Sequence, residues 1–264
     1  MRILYIGEIV GTAGVYCVKQ SLKEIRREHD IDFVIAGGDG ATGGYGTGKN
    51  HSIYLHKLGV DCLTGGECIF FKRDMVEHIR KASYVIRPAN YPRGAPGHGY
   101  QHFRVGDSEL VVVVLLGQAG FDRVHLRNPF SYLPELVERM KDKSGTIVLD
   151  FHASTTAEKQ AMFFHADGLV SAVIGSHTKV ITTDERVSQN GMATISDAGR
   201  TGSSMSVGGL DPEVEIEKHL TQIPARSRTA WKRLQLQGVV IDIDGVGKAT
   251  SINRLVVPCD AKED

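Results

Sequence analysis

Cysteine is scarce in this chain: 264 residues hold four, Cys17, Cys62, Cys68 and Cys259. No two have C-x-x-C spacing, so neither a disulfide framework nor a zinc ribbon is indicated. Net charge is also lacking. Lys+Arg and Asp+Glu number 31 each, which argues against a broad basic nucleic-acid surface and leaves room only for a local patch. Long apolar runs are missing: the longest, Leu110–Leu116, falls far short of a membrane span. The opening MRILYIG enters a strand-like run at once, without the apolar core and small-residue cleavage site of a secretory signal. A cytoplasmic protein is the expectation. The hydrophobic share of 41% suffices for a sizeable core and excludes a disordered chain. The 30 glycines cluster, which marks backbone positions that need special dihedrals or close approach.

The chain reads as strand, polar loop and helix, repeated. Strand-like runs are Arg2–Ile6, Phe33–Ala36, Cys62–Leu63, Thr146–Leu149, Leu169–Ile174 and Met192–Ile195. Helical spacing covers Val15–Glu28, Ser52–Leu58, Lys72–Lys81, Pro134–Lys141 and Thr156–His165. Tyr100–Val105 and Glu109–Leu116 read as a hairpin closed by Gly106-Asp107. Gly238–Ile243 and Thr250–Val257 read as a final antiparallel pair, and Asp260–Asp264 as a solvated tail. With no linker or repeat, the expectation is one α/β domain, residues 1–264, with a mixed sheet.

Five apolar runs end within four residues of a ligand-type side chain: Glu8, Asp39, Glu67, His152 and His177. Sites in open α/β sheets form beyond the carboxyl ends of the strands. If the five strands share one sheet and run the same way, these side chains meet at one edge. Three carboxylates repel there unless a cation lies between them, and mixed N/O donors suit Zn, Mn or Fe better than Ca. Taken singly, each residue reads as well as an N-cap, a turn former or a structural histidine. Two motif matches fail on context. Gly38–Gly43 fits G-x-G-x-x-G, but Gly44, Gly46 and Gly48 prevent a helix from opening there. Gly43–Lys49 fits G-x-x-x-x-G-K, but Asn50 follows in place of Ser or Thr.

The stretches MRILYIGEIVG, IRPANYPRGAPGHG, IVLDFHASTTAEKQAM, AVIGSHTKVITTDERV, ISDAGRTG and LQGVVIDID together resemble the YmdB-type bacterial metallophosphoesterases, relatives of the calcineurin-like phosphoesterases. The resemblance spans nearly the whole chain. It implies a sheet sandwich flanked by helices, a dinuclear metal centre, hydrolysis of phosphodiesters such as 2′,3′-cyclic nucleotides, and a homo-oligomer.

The implied metal residues have drifted. The family's Gly-Asp after the first strand is Gly7-Glu8, and its Gly-Glu-Asn is Gly38-Asp39-Gly40. Its Gly-Asn-His is Gly66-Glu67-Cys68, so the His near the leaving group becomes Cys68. His152 matches the His of Asp-Phe-His-Ala. In Gly175-Ser176-His177-Thr178-Lys179 the first family His is kept and the second is Lys179. One metal's ligands survive as Asp39, Glu67, His152 and His177. The other metal would face Glu8, Asp39 and Lys179, and a protonated lysine cannot ligate. The reading is that the Lys179 ammonium takes that ion's place; the alternative is that it points to solvent and both ions are lost. Cys68 reads as a catalytic candidate, thiolate or soft ligand, beside the blander reading of a buried filler. Asn90 and Arg200 are candidate substrate ligands, each with a structural alternative: a turn for Asn90, a surface ion pair for Arg200. Two functions follow: a phosphodiesterase with an altered, mononuclear centre, or a weak or inactive member that senses a phosphate ligand or serves assembly.

Overall fold

The computed structural model of the chain describes residues 1–121, 126–140 and 145–259. The N-terminal part runs β1 (Arg2–Ile6), β2 (Glu8–Ile9), α1 (Gly11–Glu28), β3 (Phe33–Gly37), α2 (Lys49–Lys57), β4 (Cys62–Thr64), α3 (Arg73–His78) and β5 (Val85–Ile86). There follow β6 (Tyr100–Val105), β7 (Ser108–Leu116), α4 (Pro129–Met140), β8 (Thr146–His152), α5 (Thr156–Ala166) and β9 (Ala172–Ser176). The remainder is β10 (Arg186–Val187), β11 (Ala193–Ile195), β12 (Arg200–Ser203), α6 (Pro212–Thr221), β13 (Leu234–Ile243) and β14 (Ala249–Pro258).

These strands form two sheets, not one. The first has the order β2-β12-β13-β1-β3-β4-β5, with β14 also on β13; the second has the order β10-β11-β9-β8-β7-β6. β1, β3, β4 and β5 are mutually parallel, as are β7, β8, β9 and β11. The strand period explains the layering. Ile3 and Tyr5 of β1 face Val112, Val114, Val148 and Ile174 of the other sheet, while Leu4 and Ile6 face the layer of α1, with Val18, Leu22 and Ile25. Val111, Val113 and Leu115 of β7 point the other way, onto α4 and α5. A strand covered on both faces needs no polar alternation, which is why Leu110–Leu116 is apolar throughout. The result is a sandwich of two mixed sheets flanked by helices.

The element boundaries show where local signals compete. The hairpin turns at Gly106-Asp107 as expected, with Gly106 at φ +58. α4 begins five residues before its expected start at Pro134, because Asn128 accepts the Phe130 N–H and starts the first turn. Pro134 then lies inside the helix and leaves the Phe130 carbonyl without its helical donor. His165 Nε2 reaches that carbonyl at 2.8 Å from α5. Lys141 and the Asp260–Asp264 tail lie outside the described residues. β10, β12 and α6 are too short or too exposed to register as periodic segments; α6 buries no residue. No helix among the described residues is long and apolar enough to cross a membrane.

Ile241 is fully buried between the sheets. Ile241→Ala is expected to cost about 2–5 kcal/mol in denaturant unfolding, while Val256→Ala, 48% exposed, stays within about 0.5 kcal/mol. Equal effects would contradict this layering.

Candidate metal centre

The carboxyl ends of the parallel strands in both sheets point to the same end of the sandwich. Glu8 opens β2 just beyond β1, Asp39 follows β3, and Glu67 follows β4. His152 ends β8, and His177 follows β9. The condition that all five strands share one sheet is not what brings them together: three residues come from one sheet and two from the other. The apolar layer between the sheets is what brings them together.

Glu67 is the hub. Its Oε2 lies 2.5 Å from His152 Nε2 and its Oε1 3.4 Å from His177 Nδ1. The two imidazoles approach to 3.1 Å. One ligand atom from each of Glu67, His152 and His177 lies within 4.8 Å of the others, and the same holds for Asp39, Glu67 and Cys68. Two imidazole nitrogens and a carboxylate oxygen fit a borderline divalent transition metal. Asp39 Oδ2 is 4.0 Å from His152 Nε2. Its two oxygens also accept the Gly66 and Cys68 N–H groups, at 2.7 and 2.9 Å. Asp39 thereby ties the loop bearing Glu67 to the end of β3. Gly66 is required by contact: a Cβ there would lie 2.4 Å from His152 Nε2.

His152 is oriented from behind. Its partner across the β8–β9 ladder is Ser176, whose hydroxyl lies 3.0 Å from Nδ1. Ser176 donates at 2.6 Å to Asp150 Oδ1, and Tyr5 donates at 2.6 Å to Asp150 Oδ2. Because Ser176 gives its proton to Asp150, it accepts from His152 Nδ1–H. Nε2 is then the atom turned toward Glu67. All four residues of this relay are buried.

The loop after β9 is held in an unfavourable backbone conformation. His177 and Lys179 have φ of 94° and 62°. Asp197 restrains the loop by accepting from the Thr178 N–H and hydroxyl at 2.9 and 2.6 Å, and its own charge is met by the buried Lys159 at 2.9 Å. Lys179 turns inward: Nζ lies 3.0 Å from Glu8 Oε1. Burial opposes its charge, but Glu8, then Asp39 and Glu67, hold its pKa above the ordinary lysine value.

Asn90 and Arg200 are not brought into this group. Asn90 is fully buried, and its amide bonds the backbone of Leu116 and Arg127. Arg200 spends its guanidinium on the carbonyls of Ser203, Lys179 and Ser204. Cys68 is buried; burial first, then Asp39, Glu67 and Glu8, push its thiol well above the usual range. Neither glycine motif forms a phosphate loop. α2 starts only at Lys49, and the Asp74 carboxylate already accepts the Lys49 N–H at 3.0 Å.

Some residues at the site went unrecognised in the sequence. Phe121 sets its ring 5.1 Å from that of His177 and 6.0 Å from that of His152. Tyr91 is close enough that burial, Asp39 and Glu67 raise its phenol above its ordinary value. Ser176 and Asp150 adjoin the histidines in sequence, which was the available signal; for Tyr5 there was none beyond the strand period.

With fold and site in view, the chain belongs to the YmdB-like protein family, whose model matches residues 4–255. It is 36% identical over 263 residues to a 2′,3′-cyclic-nucleotide 2′-phosphodiesterase of Bacillus subtilis (strain 168), covering 98% of each chain. A crystal structure of a hypothetical protein from Thermus thermophilus superposes with a TM-score of 0.91 at 31% identity, covering 98% of this chain and 99% of that one. A structure described as a novel phosphatase from Mycoplasma pneumoniae superposes with a TM-score of 0.92 at 27% identity, covering 98% and 93%.

Two outcomes test this geometry. Burial works against a charged His152, but Glu67, then Asp39 and Glu8, raise its pKa to about 9. Its stabilising contribution is full below about 6.5 and lost as pH rises through about 9. Burial, with Glu67 and Glu8, raises Asp39 to about 7, which acts in the same direction at lower pH. Metal-free protein is therefore expected to lose Tm from pH 6.5 to 9, a slope that His152→Ala flattens; an unchanged slope in that variant would refute the assignment. Separately, Ser176→Ala is expected to weaken Zn²⁺ binding about 10–100-fold in a competitive chelator titration. Unchanged affinity would mean that Ser176 does not orient His152.

Proposed function

We propose that this chain, as one domain, is a metal-dependent phosphodiesterase acting on 2′,3′-cyclic nucleotides or related phosphodiesters, with one divalent ion of Fe, Mn or Zn. Glu67, His152 and His177 would hold that ion, with Asp39 beside them. The observation that carries this reading is the convergence of those three donors within 4.8 Å, with His152 Nε2 aimed inward. The name of the Bacillus subtilis relative supports the substrate class. Ligation by His152 requires the proton between it and Glu67 to leave.

Lys179 is read as the substitute for a second ion. Three changes fit one another. Glu8 is long enough to reach Lys179 at 3.0 Å. A Cβ on residue 40 would lie 2.7 Å from Glu8 Oε1, so the longer carboxylate and Gly40 belong together. The charges also close: Glu8, Asp39 and Glu67 are balanced by one ammonium and one divalent ion.

When bound, the ion supplies a Lewis acid for a phosphoryl oxygen and lowers the pKa of a bound water. The chain's own residues do the rest. Lys179, kept charged by Glu8, offers a fixed positive charge to the phosphoryl group. Ser176 and Asp150 hold the His152 tautomer. Burial and the neighbouring carboxylates disfavour the Cys68 thiolate, so no thiolate nucleophile or leaving-group acid is assigned to it. Turnover is slowed accordingly, by up to the ~10²–10⁴ that a general acid contributes. The losses at Gly40, Cys68 and Lys179 favour, as the second reading, a phosphate-ligand sensor or assembly component. The homo-oligomer implied by the resemblance is supported by α6, where Ile216 and Leu220, one turn apart, are 53% and 80% exposed, with Ile223 just after the helix 66% exposed.

The test is metal per chain together with turnover. Wild type is expected to carry one transition metal and to hydrolyse 2′,3′-cyclic AMP, losing both in His152→Ala. The triple variant Glu8→Asp/Gly40→Asn/Lys179→His is expected to approach two metals per chain. Metal binding without turnover of any cyclic nucleotide would select the sensor reading. A triple variant still at one metal would remove Lys179 from the role of substitute cation.

A further inference from the structure

A large cavity among the described residues lies outside the metal centre, and none of the five metal-site residues lines it. Its volume is about 980 Å³, at the upper end of the roughly 300–1,000 Å³ typical of ligand pockets. Four cationic side chains line it, Lys72, Lys218, Arg226 and Arg228, and no acidic one does. Two of these charges are already met. Lys218 pairs with Glu215 at 2.8 Å, and Arg228 with Asp211 at 3.1 Å. Lys72 and Arg226 have no ion-pair partner among the described residues. In a chain with no net charge, two uncompensated cations around one cavity form a local anion-binding site.

Two aromatic side chains complete the lining. Tyr45 is 41% and Trp231 47% exposed. Trp231 is pinned on one side by Tyr16, ring centroids 5.9 Å apart, which keeps its indole in place. Cations for phosphates beside aromatic faces for bases are the elements of single-strand nucleic-acid binding.

Two loops border both the cavity and the metal centre. Thr42, Gly43 and Tyr45 lie on the loop after β3 that carries Asp39, and Lys72 ends the loop after β4 that carries Glu67. A ligand in the cavity would thus lie beside the two loops that carry these carboxylates.

We infer that this cavity binds a short single-stranded RNA segment, placing its 3′-terminal 2′,3′-cyclic phosphate at the metal centre. The inference rests on the phosphodiesterase reading for the terminal group, while the groove itself stands on its own lining. It makes RNA ends, beside free cyclic mononucleotides, a substrate class of this protein. Stacking and phosphate contacts in the groove would act on the longer ligand alone.

The experiment uses the full chain, metal-loaded, and a fluorescein-labelled 2′-O-methyl RNA hexamer ending in a 3′-phosphate, which cannot cyclise or turn over. Binding is read by anisotropy against salt, with hydrolysis of 2′,3′-cyclic AMP measured in parallel. Trp231→Ala and the double variant Lys72→Ala/Arg226→Ala are each expected to weaken hexamer binding about tenfold. The double variant should also reduce the salt slope by about 1.4. Both should leave cyclic mononucleotide hydrolysis within twofold, with Trp231→Phe restoring binding. Hexamer binding no tighter than that of a 3′-mononucleotide, or unchanged in these variants, overturns the inference. Equal competition by hexaglutamate also overturns it, in favour of an acidic protein partner. Failure of the phosphodiesterase reading is seen separately, as absent hydrolysis by wild type while hexamer binding still reports on the groove.

Discussion

Three carboxylates share a small, largely buried space at one end of this sandwich, and the surrounding chemistry answers their mutual repulsion. Glu8 and Asp39 are buried and Glu67 is half-buried. Ionised carboxylates so close together require positive charge or strong donors, because burial disfavours charge and the low dielectric magnifies repulsion. Each has its own solution. Glu8 takes the Lys179 ammonium, Asp39 takes two backbone N–H groups, and Glu67 takes two imidazoles. Burial opposes ionisation of Glu67, but His152, then His177, outweigh it and hold it far below the usual carboxylate range. With His152 protonated, the bare polypeptide thus meets two of the three charges with cations and the third with backbone N–H groups.

This arrangement depends on the apolar layer between the sheets. Tyr5 shows the coupling: it belongs to that layer, yet its hydroxyl is the far end of the relay through Asp150 and Ser176 to His152. Packing of the two sheets and the orientation of a metal-site imidazole are thus set by the same side chain. The loop with His177 and Lys179 is fixed from another direction, by the buried Asp197–Lys159 pair and by Arg200 bonded to the Lys179 carbonyl.

Much of this was readable in the residues, and the failures have physical causes. Glu8, Asp39, Glu67, His152 and His177 were legible because a polar side chain at the end of a short apolar run has few places to go. Their division between two sheets was not, because strand periodicity says nothing about which sheet a strand joins. Arg200 and Asn90 were read from residue type as substrate ligands. A guanidinium and an amide bond carbonyls equally well, and here both are engaged by backbone. The meaning of Gly40 emerged only in three dimensions, from the oxygen of Glu8 where a side chain would stand. Tyr45, Lys72, Arg226 and Trp231 are far apart in sequence and inconspicuous singly, so the cavity they line left no trace in any motif.

With Lys179 proposed as the stand-in for a second ion, the Glu8–Lys179 pair has a consequence for supply. A metal has to be captured from the surroundings, can be displaced by a tighter-binding competitor, and is withheld when the element is scarce. An ammonium arrives with the chain at synthesis, in fixed stoichiometry, and no chelator removes it. A centre in which one cation is written into the polypeptide needs less from its environment to be complete, and its composition varies less with whichever metal is abundant.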